Sequence, residues 1–192
     1  MKKIILSLIL IAIFNSCTSG KPYTDAMKLE LKSMYQNDQH LQDYDLKKVV
    51  RKEYSDSLKN EFDMACKKNL VVVKKYFTDY GFPGIKKNGK ETGLYFWVIV
   101  QHGDHDVTFQ EKILFEMKKN LDKKNADSRN YAYLYDRVKK NQNKPQLFGT
   151  QIIWNNEGIH SVYNLEEPEK VNERRNKMGL ETIEEYLKKF VN

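Results

Sequence analysis

The sequence predicts a mainly α-helical domain of the α+β class, with one β-hairpin near residues 146–163. Three observations lead to this prediction. Apolar residues recur every three or four positions through most of the chain after residue 24, which is the spacing of one helix face. Glycine and proline interrupt these runs, most clearly at Gly81-Phe82-Pro83-Gly84. Between residues 146 and 163, aromatic and β-branched residues lie on both sides of a loop that contains glycine, a pattern typical of a hairpin.

The first part of the domain is predicted to be helical. Met27, Leu31 and Met34 share one face of a first helix. A longer periodic run from Leu46 to Tyr80 predicts either one long helix or two helices that would divide near Ser55-Asp56-Ser57. The helical pattern then stops at the glycine and proline residues of positions 81–84.

The middle of the domain contains its most apolar segment, Leu94–Val100. Periodicity cannot assign this segment, because all its faces are apolar and its aromatic and β-branched content favours a strand. We predict a buried helix here because helices are predicted on both sides. Residues 107–121 and the run from Tyr131 to Val138 are amphipathic and predict two more helices.

The C-terminal part is predicted to be the hairpin followed by two short helices. The hairpin strands would lie within Leu147–Trp154 and Ile159–Tyr163. Pro168 suits the first turn of a helix, and Gly179 suits the residue after its C-terminus. The pair of Thr182 and Glu185 predicts a capping box at the start of the last helix.

The N-terminus resembles a bacterial lipoprotein signal. Lys2 and Lys3 precede a mostly apolar stretch, Ile4–Phe14. This stretch is shorter than the roughly 20 residues that a membrane-spanning helix needs. Ser16-Cys17 matches the end of the lipoprotein cleavage motif, whereas Phe14 and Asn15 depart from its first two positions. The alternatives are an ordinary signal peptide and an uncleaved anchor.

This N-terminus sets the predicted domain organisation. We predict a lipoprotein signal peptide over residues 1–16, a tether over 17–23 that starts with the acylated Cys17, and one α-rich domain over 24–192. No aspartate follows Cys17 to retain the protein in the inner membrane, and no acidic run follows to direct it to the cell surface. We therefore predict an outer-membrane position that faces the periplasm, with the lipid anchor contacting the membrane.

The charge and the cysteines narrow the function classes. Loss of Lys2 and Lys3 with the signal lowers the formal net charge from +7 to +5. The remaining lysines are spread in pairs along the helices instead of clustering with aromatic residues, so we predict no nucleic-acid partner. Cys66 has no partner thiol in the mature chain, and its apolar helical neighbours predict a buried, inert thiol.

The densest polar segment, residues 101–106, follows the most apolar one. It contains Gln101, His102, Asp104, His105 and Asp106. Polar groups at the end of a buried element need partners or a ligand. Two imidazoles and two carboxylates could bind a divalent metal, but their spacing matches no metal-site signature, so we predict no metal and no cofactor. A purely structural reading, in which Asp104 or Asp106 caps the next helix, remains open.

Two further polar groups lie later in the chain. Asp136 and Arg137 follow Leu134-Tyr135, and an arginine fork is suited to a carboxylate or a phosphate. Gln146 and Gln151 flank Gly149-Thr150, where a glycine inside a strand pattern suggests close approach of the backbone. A surface ion pair and an ordinary hairpin are the structural alternatives.

Five blocks in the chain resemble those of a bacterial family of uncharacterised domains. In order they are Gly81-Phe82-Pro83-Gly84, Gln101-His102 with Asp104 and Gln110, Leu134 with Asp136-Arg137, Gln146 with Phe148-Gly149-Thr150-Gln151, and Arg174-Arg175 with Gly179-Leu180. Gly103 and Phe148 depart from the family pattern, in which alanine and tyrosine are common. The family brings no known activity. The resemblance implies that one constellation unites His102, Asp104, Asp136, Arg137 and Gln151, and it makes His105 a weaker candidate.

These residues lead to an enzymatic hypothesis. His102 would be the general acid or base, because histidine changes charge nearest to neutral pH. Asp104 or Asp136 would orient it and Arg137 would hold an anionic group, so the predicted catalytic residues are His102, Asp104 and Arg137. The predicted substrate-binding residues are Gln101, Asp136, Gln146 and Gln151. The reaction would be a hydrolysis or group transfer on an envelope substrate.

Two other hypotheses stay open. A non-catalytic lipoprotein could use the same side chains to bind an unknown small molecule or protein, in an immunity or scaffold role. In a purely structural reading, Gln101 and His102 would satisfy backbone groups at a helix end, and Asp136-Arg137 would hold the hairpin.

Overall fold

The computed structural model describes residues 21–42, 52–154 and 160–190. The predicted signal peptide and Cys17 lie outside these residues. Within them, eight α-helices and one two-stranded antiparallel sheet confirm the predicted mainly helical class with one hairpin. The bounds of the helices are α1 Asp25–Gln42, α2 Lys52–Tyr80, α3 Ile85–Asn88, α4 Lys90–Gln101, α5 Val107–Leu121, α6 Ser128–Asn141, α7 Val171–Lys177 and α8 Ile183–Lys188.

Helix α4 is the centre of the fold. It packs against α1, α2, α3, α5 and α6, which explains why all its faces are apolar and confirms a helix for Leu94–Val100. Phe96, Ile99 and Val100 are fully or almost fully buried among side chains of the surrounding helices. Burial of the surrounding faces therefore outweighs the strand preference of the β-branched residues.

Helix α2 shows which of the two predicted alternatives, one helix or two, holds for residues 52–80. It runs without interruption through Ser55-Asp56-Ser57 as far as Tyr80. Asp56 and Ser57 are exposed, and polar residues on the solvent side of a helix cost little once its other face is packed. The predicted start of this run, from Leu46, lies outside the described residues.

The helix ends follow the sequence signals closely. The carboxylate of Asp106 accepts a hydrogen bond from the Phe109 amide at 2.9 Å and caps α5, so Asp106 and not Asp104 is the cap. Asp127 caps α6 through the Asn130 amide in the same way. The capping box between Thr182 and Glu185 is present at the start of α8.

The hairpin is shorter than its sequence pattern. Strand β1 covers Ile152–Trp154 and strand β2 covers His160–Val162, with Ile152 opposite Val162 and Trp154 opposite His160. Residues 147–150, predicted to belong to the first strand, form no strand, because the buried carboxylate of Asp136 accepts hydrogen bonds from three of their four backbone amides. Pro168 then opens a short 3₁₀ turn that leads into α7, and Gly179 follows α7 with a positive φ of 73°.

Candidate functional site

Except for Gln101, the predicted site residues lie in two sets of polar contacts, which we call the outer network and the buried network. The outer network consists of two separate pairs, His102 with Asp38 and Asp104 with Arg137, and the second pair also binds Gln110 and Asn141. The buried network contains Asp136, Gln146 and Gln151, joined by Thr150, Arg175 and Tyr186. Among the described residues, no hydrogen bond or ion pair joins His102 to Arg137.

His102 lies directly after α4 and pairs with a carboxylate from α1. Its Nδ1 is 2.7 Å from Oδ1 of Asp38, and the two side chains are only 13% and 4% exposed. The other oxygen of Asp38 accepts hydrogen bonds from the side-chain amides of Gln39 and Gln42 at 2.9 and 2.8 Å. The rings of Phe62 and His102 pack in a T-shaped arrangement at a centroid distance of 5.5 Å. We call His102 and Asp38 the dyad.

The dyad geometry fixes the tautomer of a neutral imidazole. A carboxylate beside Nδ1 places the proton there, so Nε2 keeps its lone pair. Nε2 of His102 makes no hydrogen bond to any residue in the described ranges. A carboxylate–imidazole pair with its second ring nitrogen unused is the arrangement by which proteins orient a general base.

Asp38 was absent from the sequence prediction. It lies 64 residues before its partner in a polar stretch, and no motif marks it. The available signal was its position. Asp38 follows Met27, Leu31 and Met34 at helical spacing and precedes Leu41, so it continues the buried face of α1. A carboxylate on a buried helix face requires a partner, and this requirement could have identified the position.

Asp104 and Arg137 form a bidentate ion pair at the edge of the outer network. Nε and Nη2 of Arg137 donate to the two carboxylate oxygens at 2.8 and 2.7 Å. The side-chain amide of Asn141, one turn further along α6, also donates to Asp104 at 2.8 Å. The carboxylate is 43% exposed and the guanidinium 25%. Partial burial acts to raise the pKa of Asp104, but the hydrogen bonds and charge of Arg137 outweigh it and lower that pKa below its ordinary value.

Gln110 connects this pair to the end of α4. Its side chain is fully buried, and its amide nitrogen donates to the carbonyls of Val100 and Gln101 at 3.0 Å and to Asp104 at 3.2 Å. The last carbonyls of a helix have no partner within the helix. Gln110 therefore supplies the capping role that the structural hypothesis gave to Gln101 and His102. The side-chain oxygen of Gln101 is buried without a hydrogen bond among the described residues.

Asp136 organises the buried network. Its side chain is fully buried and receives four donors from the loop that follows α6: the amides of Leu147, Phe148 and Thr150 and the hydroxyl of Thr150. Burial raises the pKa of Asp136, and these hydrogen bonds act against that rise. The carboxylate accepts hydrogen bonds from backbone amides that would otherwise pair with the second strand, so it determines where the hairpin begins.

Gln146 and Gln151 bind each other and the hairpin. The side chain of Gln146 accepts from the amide of Gln151 at 2.9 Å and donates to its carbonyl at 3.0 Å. The same amide group also donates to the carbonyl of Tyr163. The side-chain amide of Gln151 donates to the hydroxyl of Thr150 at 3.2 Å. Both amide side chains therefore lie inside the protein, bonded to neighbouring groups.

Arg175, on α7, connects that helix to the buried network. It is fully buried, donates to the carbonyls of Phe148 and Glu181 at 2.6 Å, and stacks on the ring of Tyr186 at 4.8 Å. The Tyr186 hydroxyl donates to the carbonyl of Thr150 at 2.9 Å. Burial lowers the pKa of Arg175. The positive φ of Gly149, at 66°, lets the loop turn between these partners.

The remaining candidates supply no further chemistry. Cys66 is buried, as predicted, and burial raises the pKa of its thiol to about 12, so the nucleophilic thiolate is suppressed. Within the described ranges, no group of three or more His, Cys, Asp or Glu side chains is arranged to hold a metal ion. His105 is exposed. In the same ranges, no helix is long and apolar enough to cross a membrane.

Comparison with known proteins gives one match. Neither the curated proteins nor the solved structures contain a match to this chain. A family model described as a family of unknown function, DUF6624, matches residues 25–192. The match includes both polar networks and every helix described above. The chain therefore belongs to DUF6624, a family of unknown function, which confirms the prediction of an uncharacterised domain family.

Proposed function

We propose that this protein is a lipid-anchored cell-envelope lipoprotein in which the dyad acts as the general base of a hydrolysis or group transfer. One observation supports the catalytic part: Nδ1 of His102 lies 2.7 Å from a carboxylate that is 4% exposed. A buried carboxylate both orients the imidazole and stabilises the imidazolium that forms when Nε2 takes a proton. General-base catalysis of this kind contributes about 10²–10⁴-fold to a rate.

Arg137 is the group that would hold an anionic part of the substrate. Its Nε and Nη2 bind Asp104, while Nη1 makes no hydrogen bond to the described residues. The bidentate pair keeps the guanidinium plane in one orientation. In this proposal Asp104 and Asn141 position Arg137, and the substrate binds at Nη1 on the exposed side of the pair.

The nucleophile would be water. Cys66 is buried with a raised pKa, and the dyad hydrogen-bonds to no serine or threonine in the described ranges. Nε2 of His102 would accept a proton from a water molecule as its oxygen attacks the substrate. The protonated ring would then return that proton to the leaving group.

The buried network has a different role in this proposal. Asp136 binds backbone amides of the loop after α6, and Gln146 and Gln151 bind each other, so these residues would support the site through the orientation of α6 and not by contact with the substrate. Gln101 is the last residue of α4, and its side-chain oxygen is buried with no partner among the described residues.

The anchor is the second part of the proposal. It is supported by the Lys2-Lys3 start, the short apolar stretch and Ser16-Cys17. Each buried methylene of an acyl chain contributes about 0.8 kcal/mol, and stable anchoring takes two or more chains. The membrane is therefore the proposed partner, with the domain in the periplasm at the outer membrane. No nucleic-acid partner is proposed.

Alkyne-palmitate labelling in the native host tests the anchor. The unchanged protein and the Cys66→Ala variant should both carry the label and sediment with the membrane. The Cys17→Ala variant should lose the label and become soluble or remain with an uncleaved signal. Equal labelling of all three proteins would exclude acylation at Cys17.

Incubation of the purified protein with envelope fractions tests the catalytic part. Peptidoglycan and phospholipid fractions are treated with the unchanged protein, and new products are identified by mass spectrometry. His102→Asn keeps an N–H near the position of Nδ1 for Asp38 but removes the basic Nε2. We expect it to reduce product formation about 10²-fold or more. His105→Ala, an exposed histidine in the same segment, is the matched control and should leave the rate unchanged.

A non-catalytic binding role is the second candidate. It is favoured by the bidentate pair, because Asp104 and Arg137 largely satisfy each other. Product formation by His102→Asn at the unchanged rate, or an absence of any product with these fractions, would favour this binding role over catalysis.

A further inference from the structure

A cluster of lysines lies where the chain enters the domain. An open hollow of about 410 Å³ is lined by Lys28 and Lys32 from α1 and by Lys90 from the start of α4. Lys86 and Lys87 are exposed on α3, the short helix directly before α4. We call these five lysines the basic face. All of them lie outside the two polar networks.

Two carboxylates accompany the basic face without neutralising it. Asp25 and Glu91 line the same hollow. The carboxylate of Asp25 lies 3.4 Å from the ammonium group of Lys28, but its side chain is fully exposed, so solvent screens this pair and it is weak. The basic face and the lining of the hollow together contain five lysines and two carboxylates, a local formal charge of +3.

An exposed leucine lies among these lysines. Leu29 lines the hollow, and its side chain is 68% exposed. At a membrane surface, a large apolar side chain can enter the boundary between headgroups and acyl chains. Lysines beside it keep their ammonium groups at the level of the headgroups. This combination favours a lipid surface over a soluble anion as the partner of the basic face.

The short tether keeps this face close to the membrane. Tyr23 is buried and fixes the start of the domain, because its amide donates to the side chain of Asn88 at 2.7 Å and its hydroxyl to the carbonyl of Gly81 at 2.9 Å. Asn88 lines the hollow and directly follows Lys87. Six peptide bonds link Tyr23 to Cys17, and a chain of that length spans at most about 21 Å. The acylated cysteine would therefore hold the start of the domain beside the bilayer.

We propose that the basic face contacts the anionic phospholipid headgroups of the membrane that holds the acyl anchor. This inference rests on the proposed acylation of Cys17 and adds the orientation of the domain. Each lysine near an anionic surface strengthens binding by about fivefold. The attraction decays over a Debye length, about 10 Å at 0.1 M salt, so it needs the proximity that the tether provides.

This orientation directs the dyad away from the bilayer. Helices α1 and α4 both begin at the basic face. Asp38 lies near the other end of α1, and His102 directly follows α4. At a helical rise of 1.5 Å per residue, Lys90 and His102 are about 18 Å apart along the axis of α4. The substrate of the proposed reaction would therefore be a periplasmic or cell-wall molecule and not a headgroup of that membrane.

Lysine footprinting tests the orientation. The acylated protein, purified from the native host, is reconstituted into vesicles of pure phosphatidylcholine and of an equal mixture of phosphatidylcholine and phosphatidylglycerol. Acetylation of each lysine is measured by mass spectrometry. We expect Lys28, Lys32 and Lys90 to react at least about threefold more slowly on the mixed vesicles. Lys59 is the matched control, because it is exposed, pairs with a carboxylate of its own helix and lies one turn from Phe62, which packs on the dyad. Its reactivity should be the same on both vesicles.

Two triple variants with the same net charge separate this face from a general attraction. One reverses three lysines of the basic face: Lys28→Glu, Lys32→Glu and Lys90→Glu. The other reverses three lysines of α2 and of the C-terminal end of α6 and the segment after it: Lys59→Glu, Lys140→Glu and Lys144→Glu. Lys86 is unchanged in both variants and reports on the contact. Its protection on mixed vesicles should be lost in the first variant and kept in the second.

Flotation distinguishes failure of the anchor from failure of this inference. The acyl chains alone should carry the unchanged protein upward with pure phosphatidylcholine vesicles. A protein that does not float with them lacks the proposed anchor, and this inference then fails with it. In a protein that floats with both kinds of vesicle, equal reactivity of the basic face on both would overturn the orientation and leave the anchor intact. Equal loss of Lys86 protection in the two triple variants would overturn it as well.

Discussion

Asp136 and Arg137 are consecutive residues of α6, yet they belong to different networks with different physical character. Asp136 is fully buried, and four donors of a neighbouring loop surround its carboxylate. Arg137 is a quarter exposed, and its partner is the side chain of Asp104, which also accepts a hydrogen bond from Asn141. Successive helical residues point about 100° apart, so one helix serves the interior and the surface at the same level. Backbone partners fix a structure, whereas side-chain partners can exchange for a ligand.

The dyad contains one residue that is fully buried and one that is partly exposed. Asp38 is buried as Asp136 is, but its partner His102 reaches the edge of the protein. Three of the four donors to Asp136 are backbone amides that cannot leave without unfolding the loop. Asp38 instead binds one imidazole and two amide side chains. This contrast leads us to expect that changes in the buried network mainly alter stability and that changes in the outer network mainly alter function.

The largest expected effect is that of Asp136→Asn. The asparagine side chain would place an N–H group where a carboxylate oxygen now accepts hydrogen bonds from the loop. The loop donors at that oxygen would lose a charged acceptor and be left buried and unpaired. We expect a loss of about 3 kcal/mol in the free energy of unfolding. For a domain of this size this lowers the Tm by about 6–12 °C. Urea unfolding and calorimetry measure both quantities.

Asp127→Asn is the matched control for that variant. It makes the same chemical change on the same helix, but at the N-cap, where asparagine and aspartate are about equally good. Its stability should change by only a few tenths of a kcal/mol. Equal losses for the two variants would show that Asp136 has no special role in holding the loop.

A smaller effect is expected when the bidentate pair is removed. A double-mutant cycle with Asp104→Asn and Arg137→Gln should give a coupling free energy of about 1 kcal/mol, because the pair is partly exposed and screened by solvent. The coupling should fall as salt is added. A coupling as large as the cost of Asp136→Asn would mean that the outer network is as structural as the buried one.

The smallest expected effect is the pH dependence that this pair contributes. The folded pKa of Asp104 lies below its unfolded value, so its contribution to stability is present above about pH 4 and is lost as pH falls through the folded pKa. The stability difference between the unchanged protein and Asp104→Asn should therefore shrink on acidification. Urea unfolding from pH 6 to pH 3 measures it.

The contribution of Asp136 to stability should change with pH in the opposite direction. Its folded pKa is raised by burial, so its contribution is fully present below the unfolded pKa and decreases as pH rises through the folded value. Comparing Asp136→Asn with the unchanged protein over the same pH range should reveal a difference that grows on acidification. Parallel pH profiles for the two aspartates would contradict the contrast between the networks.

Local signals predicted much of the fold. The capping box of Thr182 and Glu185, the cap at Asp106 and the turn after Gly179 depend on residues within a few positions of one another. The helix over Leu94–Val100 was predicted only because helices surround it. The sequence left open whether α2 is one helix or two, and packing of the apolar face outweighs the local preference of three polar residues, so the helix continues through Ser55-Asp56-Ser57.

The candidate site was predicted less completely. The sequence identified His102, Asp104 and Arg137, and the last two form an ion pair. It did not identify Asp38, the carboxylate that orients His102. It also grouped Asp136 and Gln151 with these residues, whereas they bind the loop and the hairpin. Spacing along a chain does not show which face of a helix meets which neighbour.

By itself the sequence determined the helical class, the position of the hairpin, the helix caps and the family, because periodicity, turn residues and motif order are properties of neighbouring positions. Only the tertiary structure decided that Asp38 meets His102 across 64 residues and that Asp136 turns inward while Arg137 turns outward. Those pairings follow from how α1, α4 and α6 pack together, since the packing minimises the exposed apolar area of all the helices at once.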